Sequence, residues 1–74
     1  MTDLIVAIGE TAGKVWRHLA AEGEQELAGL AVLMDEPNDR VSLAVGWLAR
    51  EGKISVRADR GLIRVSLKEP NESW

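Results

Sequence analysis

The 74-residue sequence predicts a single small α+β domain in which three helices precede a two-stranded β-hairpin. Three observations carry that reading. Apolar residues recur at three- and four-residue intervals across most of the first 51 positions. From Ile54 to Leu67 they instead alternate with polar residues. Gly23, Pro37, Gly52 and Gly61 stand at the breaks between these stretches. With 46% hydrophobic and 28% charged residues the chain can bury one modest core, and the absence of Cys excludes a disulfide framework and a thiolate metal site. The domain is read as residues 1–68, with 69–74 as a flexible C-terminal tail lacking periodicity, although Trp74 could dock on the domain.

The first helix covers about residues 3–22, where Leu4, Ile5, Ile8, Ala12, Val15, Trp16 and Leu19 share one face and Gly23 supplies the stop. Gly9 and Gly13 interrupt it, each at a cost of about 1 kcal/mol relative to Ala. With Trp16 and Ala20 they form a stripe that another backbone can approach closely, either within the chain or across a dimer. His18 and Glu22, four residues apart, read as a surface ion pair.

Glu24-Gln25-Glu26 reads as a polar link with a solvated acidic edge. Leu27, Leu30, Ala31 and Met34 then repeat at helical spacing over 27–34, and Asp35-Glu36-Pro37-Asn38 breaks the chain. Pro37 suits the first turn of a third helix, and the acidic residues around it complement the dipole there. That helix covers 38–51 and is capped by Gly52. With Val41, Ala44, Val45 and Leu48 turned inward, the outward side carries Asp39, Arg40, Leu43, Gly46 and Arg50, with Trp47 on its flank.

The hairpin covers 54–67 with its turn at Asp59-Arg60-Gly61-Leu62. Pairing the apolar residues on one face sets Ala58 opposite Ile63 and Val56 opposite Val65. Arg57 then faces Arg64 on the other side, an unfavourable opposition of like charges.

The net charge of −3 hides an asymmetry. Residues 1–39 hold two basic and eight acidic side chains, a net of −6. Residues 40–64 hold six basic and two acidic ones, a net of +4. The chain as a whole repels a polyanion while one end attracts it.

The order of helix, link, short helix, break, longer helix and hairpin is that of a winged helix-turn-helix domain. The segment Val41-Ser42-Leu43-Ala44-Val45-Gly46-Trp47-Leu48-Ala49-Arg50-Glu51-Gly52-Lys53-Ile54 looks like the recognition helix and first wing strand of that superfamily. Ile8-Gly9-Glu10-Thr11-Ala12-Gly13-Lys14-Val15-Trp16, together with Gly46-Trp47-Leu48-Ala49-Arg50-Glu51, resembles a prokaryotic family of small stand-alone winged helix-turn-helix proteins of unknown function. The resemblance covers about residues 5–67. It implies the fold and, through the superfamily, a transcription-associated module that binds double-stranded DNA as a homodimer.

Two functional readings stay open. A DNA-binding module would use Arg40 and Arg50 of the third helix with Arg57, Arg60 and Arg64 of the wing. A protein-interaction or dimerisation module would use Leu43, Gly46 and Trp47, with Gly9 and Gly13, while the wing arginines meet an acidic protein surface. An enzyme is not expected. The single His18 supports neither a triad nor a metal site, Gly9-Glu10-Thr11-Ala12-Gly13 lacks the Walker lysine and hydroxyl order, and no cofactor is implied. The apolar run Leu4–Ile8 is too short to span a bilayer and no basic residue precedes it, so the expected location is the cytoplasm.

Overall fold

Asp3 starts the first helix by capping it: its Oδ1 accepts the N–H groups of Ile5 at 3.0 Å and Val6 at 3.4 Å. The computed structural model describes residues 3–68. The sequence expectations for the tail and for Trp74 lie outside them. In chain order the elements are α1 (Leu4–Glu22), β1 (Gln25–Glu26), α2 (Leu27–Met34), α3 (Asn38–Arg50), β2 (Ile54–Asp59) and β3 (Leu62–Leu67).

The helix ends follow from local chemistry. Beyond α3, Gly52 takes φ 76°, so that the N–H of Gly52 reaches the carbonyl of Ala49 and the N–H of Lys53 that of Leu48. This pair of bonds is a Schellman closure, which turns the chain directly into β2. Pro37 precedes α3 as its N-cap and is not within its first turn, a difference of one residue. Lys14 Nζ bonds Glu36 Oε2 at 3.0 Å and ties α1 to the turn between α2 and α3.

The hairpin has the expected register, with Val56 opposite Val65, Arg57 opposite Arg64 and Ala58 opposite Ile63. Its turn puts Arg60 at φ 56° and Gly61 at φ 82°, the two left-handed positions of a type I′ turn. The polar link is the first correction. Gln25 and Glu26 form β1, pairing antiparallel with Val65 and Arg64, so the sheet has three strands in the order β1-β3-β2. Two residues carry no readable period; they become a strand because β3 offers them an open edge.

The core joins Ala12, Val15 and Leu19 of α1, Leu30 and Ala31 of α2, and Val41, Ala44, Val45 and Leu48 of α3 to Ile54 and Val65 of the sheet. The inward face of α3 is therefore the one its period indicates. In α1 the period overreaches: Leu4 and Ile5 are exposed, and the buried stripe begins at Thr11. The outer half of the wing also stands clear of the body, with Val56, Leu62 and Ile63 exposed. His18 forms no pair with Glu22, because its Nε2 is buried and meets no hydrogen-bond partner.

Candidate functional site

The outward face of α3 is built on the packing of its inward face. Val41, Ala44, Val45 and Leu48 fix the rotation of the helix and present Leu43 and Trp47 to solvent, at 49% and 47% exposure. Gly46 between them is exposed and a Cβ there would meet nothing within 4 Å. Trp47 leans toward α1: a Cβ on Gly9 would lie 3.4 Å from its Cζ3. The space above Gly9 is thus taken by an indole of the same chain, and that of Gly13 by the guanidinium of Arg17, also at 3.4 Å.

The lean of Trp47 continues the apolar face across two helices. Ile5 and Ile8 of α1 join Leu43 and Trp47 in a cleft of about 280 Å³. Ile5 is 74% exposed. Helical period places Ile5 and Ile8 on one apolar face without saying what covers it: Ile8 packs partly against the core, whereas Ile5 does not. Charges sit only at the two ends of α3, with Asp39 and Arg40 at the start and Arg50 and Glu51 at the finish. Asp39 Oδ1 accepts the backbone N–H of Arg40 at 2.7 Å.

The wing arginines divide into two groups. Glu24 Oε2 accepts from Arg64 Nε at 2.6 Å and from Arg57 Nη2 at 3.1 Å, so one carboxylate bridges the two opposed guanidinium groups. The hydrogen bond from Arg64 holds the Glu24 carboxyl below its ordinary pKa, with the positive charges of Arg57 and Arg64 acting the same way. The same bond raises Arg64, helped by Asp59 and Glu26. Glu24 therefore belongs to the site and is not a solvated loop edge. The signal that could have found it was the Arg57–Arg64 opposition itself, which requires a neutralising carboxylate. Arg60 at the turn, Arg40 and Arg50 make no ion pair among the described residues.

Glu24 comes to the wing from the acidic half of the chain, so within the basic stretch that ends at Arg64 the charges of Arg57 and Arg64 are offset in part by one carboxylate. Among the described residues no group of three or more His, Asp or Glu could hold a metal ion, and no helix is long and apolar enough to cross a membrane.

Comparison with known proteins agrees with this architecture. The family described as "Winged helix-turn-helix domain (DUF2582)" matches residues 1–67. An uncharacterized protein of Methanocaldococcus jannaschii, MJ1608, is 42% identical over 62 residues, covering 80% of this chain and 87% of that protein. The solution NMR structure of protein BT2368 from Bacteroides thetaiotaomicron superposes with a TM-score of 0.75 at 36% identity, over 82% of this chain and 74% of that one. Three helices, a hairpin wing and a family match over nearly the whole chain lead to one conclusion: the chain belongs to this winged helix-turn-helix family.

Proposed function

We propose that this winged helix-turn-helix domain is a self-associating protein-interaction module, in which the outward face of α3 docks on the same face of a second copy. The observation that carries the reading is the apolar cleft that Leu43 and Trp47 share with Ile5 and Ile8. A helix built to read bases places hydrogen-bonding side chains at the centre of its outward face. Here the centre is Leu43, Gly46 and Trp47, an aliphatic and an aromatic anchor beside a residue with no side chain to obstruct approach. Gly9 supports the contact from beneath by seating the indole, and Gly13 lines the neighbouring groove. The charges at the two ends of α3 are of both signs, which suits a two-fold contact in which each end meets its opposite.

The test is the mass in solution by light scattering. Leu43→Glu puts a carboxylate into the apolar contact and should lower the mass of the assembly while the chain stays folded; an unchanged mass removes the contact.

A second reading rests on the wing. Arg60 is exposed at the tip and unpaired among the described residues, and with Arg40 and Arg50 it gives three cations available to phosphates of double-stranded DNA. Arg57 and Arg64 would join them only on leaving Glu24. Anisotropy with random duplex at about 50 and about 200 mM salt separates the readings, because phosphate contacts make affinity fall steeply with salt. Absence of binding at the lower salt leaves the protein-interaction reading.

A further inference from the structure

Unlike α1 and α3, α2 carries no polar or charged side chain in its eight residues, Leu27 to Met34. A helix apolar on every side belongs inside a protein. Here only part of it is covered: Leu30 and Ala31 are buried and Leu27 and Met34 pack against the core, while Ala28, Val32 and Leu33 face solvent. Val32 is 80% exposed, the highest value of any large hydrophobic among the described residues, and Leu33 is 58% exposed. Ala28, Ala31 and Val32 form one wall of an open groove of about 660 Å³, completed by Asp35, Glu36, Pro37 and Asn38. None of these residues belongs to the cleft of Leu43 and Trp47.

The far end of α2 carries charge of one sign. From Leu27 to Asp39 the sequence has three acidic residues, Asp35, Glu36 and Asp39, and no basic one. Glu36 already holds Lys14, whereas Asp35 makes no ion pair among the described residues. Asp35 is also the C-cap of α2, in the left-handed conformation at φ 54°. Glycine or asparagine suits that conformation better, and a carboxylate beside the last carbonyls opposes the helix dipole. An anion kept where backbone and dipole both disfavour it is an acceptor for a cation from outside the chain.

We infer that this groove docks a basic amphipathic segment of a different protein, with apolar side chains laid on Val32 and Leu33 and a Lys or Arg on Asp35. Charge decides the occupant. Nucleic acid and anionic lipid are repelled by the acidic border. A second copy seated two-fold on this face would bring Asp35, Glu36 and Asp39 against their own counterparts. Of these, only a cationic segment satisfies the apolar wall and the carboxylate together.

The probe is a fluorescent, end-blocked peptide of about 18 residues with Leu and Lys in an amphipathic helical pattern, titrated with the full chain by anisotropy. It should bind, more weakly at higher salt, and a Leu/Glu peptide of the same pattern should not. Val32→Ser with Leu33→Ser should weaken binding at least about tenfold. Both side chains are exposed, so the fold should persist, which circular dichroism verifies. Asp35→Asn should weaken binding about two- to fivefold and melt higher than wild type, a combination that a purely structural role would not give. Leu43→Glu, on the α3 face, should leave the peptide affinity unaltered, so failure of the self-association reading and failure of this one are distinguishable. No binding of the Leu/Lys peptide overturns the inference, as does affinity that survives Val32→Ser with Leu33→Ser, equal binding of the Leu/Glu peptide, or loss of affinity in Leu43→Glu. A lower mass of the doubly substituted chain in light scattering without peptide gives the groove to a second copy and also overturns it.

Discussion

Glu24 and Arg64, forty residues apart in the chain, meet at 2.6 Å between Oε2 and Nε, and the same oxygen also holds Arg57. The hairpin register forces two arginines to face each other, and β1 delivers the carboxylate that makes this tolerable. Because the groups are exposed, the pairing has little effect on stability but a direct one on the wing's charge. Glu24→Gln should leave the melting temperature nearly unaltered while increasing retention on heparin, as two guanidinium groups become available to a polyanion. Equal retention of the variant and the wild-type chain would show that Arg57 and Arg64 were never withheld.

The same pair sets a pH dependence. Glu24 is held below its ordinary pKa in the folded state, so its contribution is present above the unfolded value and is lost as pH falls through the lowered one. At neutral pH the bridge is complete. As the solution is acidified below the ordinary carboxylate range, Glu24 protonates and releases its arginines. The heparin-retention difference between wild type and Glu24→Gln should therefore shrink toward zero in acid and be constant around neutrality. A difference that persists in acid would assign the effect to something other than this carboxylate.

Elements with a long, clean period were legible in the sequence: the inward face of α3, the hairpin register and the glycine closing α3 are where local spacing puts them. What was hidden depends on contacts distant in the chain. β1 has two residues and exists only through its pairing with β3, and Glu24 acquires its role only once β1 lies beside the wing. Leu4 and Ile5 share the apolar period of α1 yet remain exposed, because a period registers that a face is apolar and cannot distinguish a core from a docking surface. The site was thus half visible. Leu43 and Trp47 could be read from α3 alone, whereas their union with Ile5 and Ile8 needed the α1–α3 packing.

Gly46 is an exposed interior helix position at which a Cβ meets nothing within 4 Å. Gly46→Ala should therefore stabilise the folded chain by about 1 kcal/mol. In a domain of this size that raises the melting temperature by roughly 4–8 °C. If α3 docks closely on a second copy, the same methyl should lower the mass of the assembly. Higher stability with weaker assembly would separate an interface glycine from a neutral one.

Gly9 presents the opposite geometry, with a Cβ at 3.4 Å from Trp47 Cζ3. Gly9→Ala places that methyl in ordinary contact with a half-exposed ring that can give slightly, so the helix gain of up to about 1 kcal/mol should survive. Gly9→Leu cannot fit beneath the ring and should lift the indole from α1. With Trp16 and Trp74 replaced by Phe, its emission should shift to the red and acrylamide quenching should rise. Unchanged emission would mean that Trp47 does not rest on Gly9 in solution.

Arg60 occupies the first left-handed position of the wing turn at φ 56°, a conformation that costs an L residue with a bulky side chain about 1–2 kcal/mol and suits Asn or Gly. Next to Gly61, Asn would complete the preferred turn pair, so Arg60→Asn should stabilise the domain by about 1 kcal/mol. Strain kept at an exposed tip points to a use for the cation that occupies it. If that use is phosphate contact, Arg60→Asn should weaken duplex binding for all sequences alike and reduce the log–log salt slope by about one per site. If the wing serves protein contacts alone, the variant should melt higher with no change in its behaviour toward DNA. Measuring melting and duplex anisotropy on this one substitution therefore tests the turn strain and the second functional reading independently.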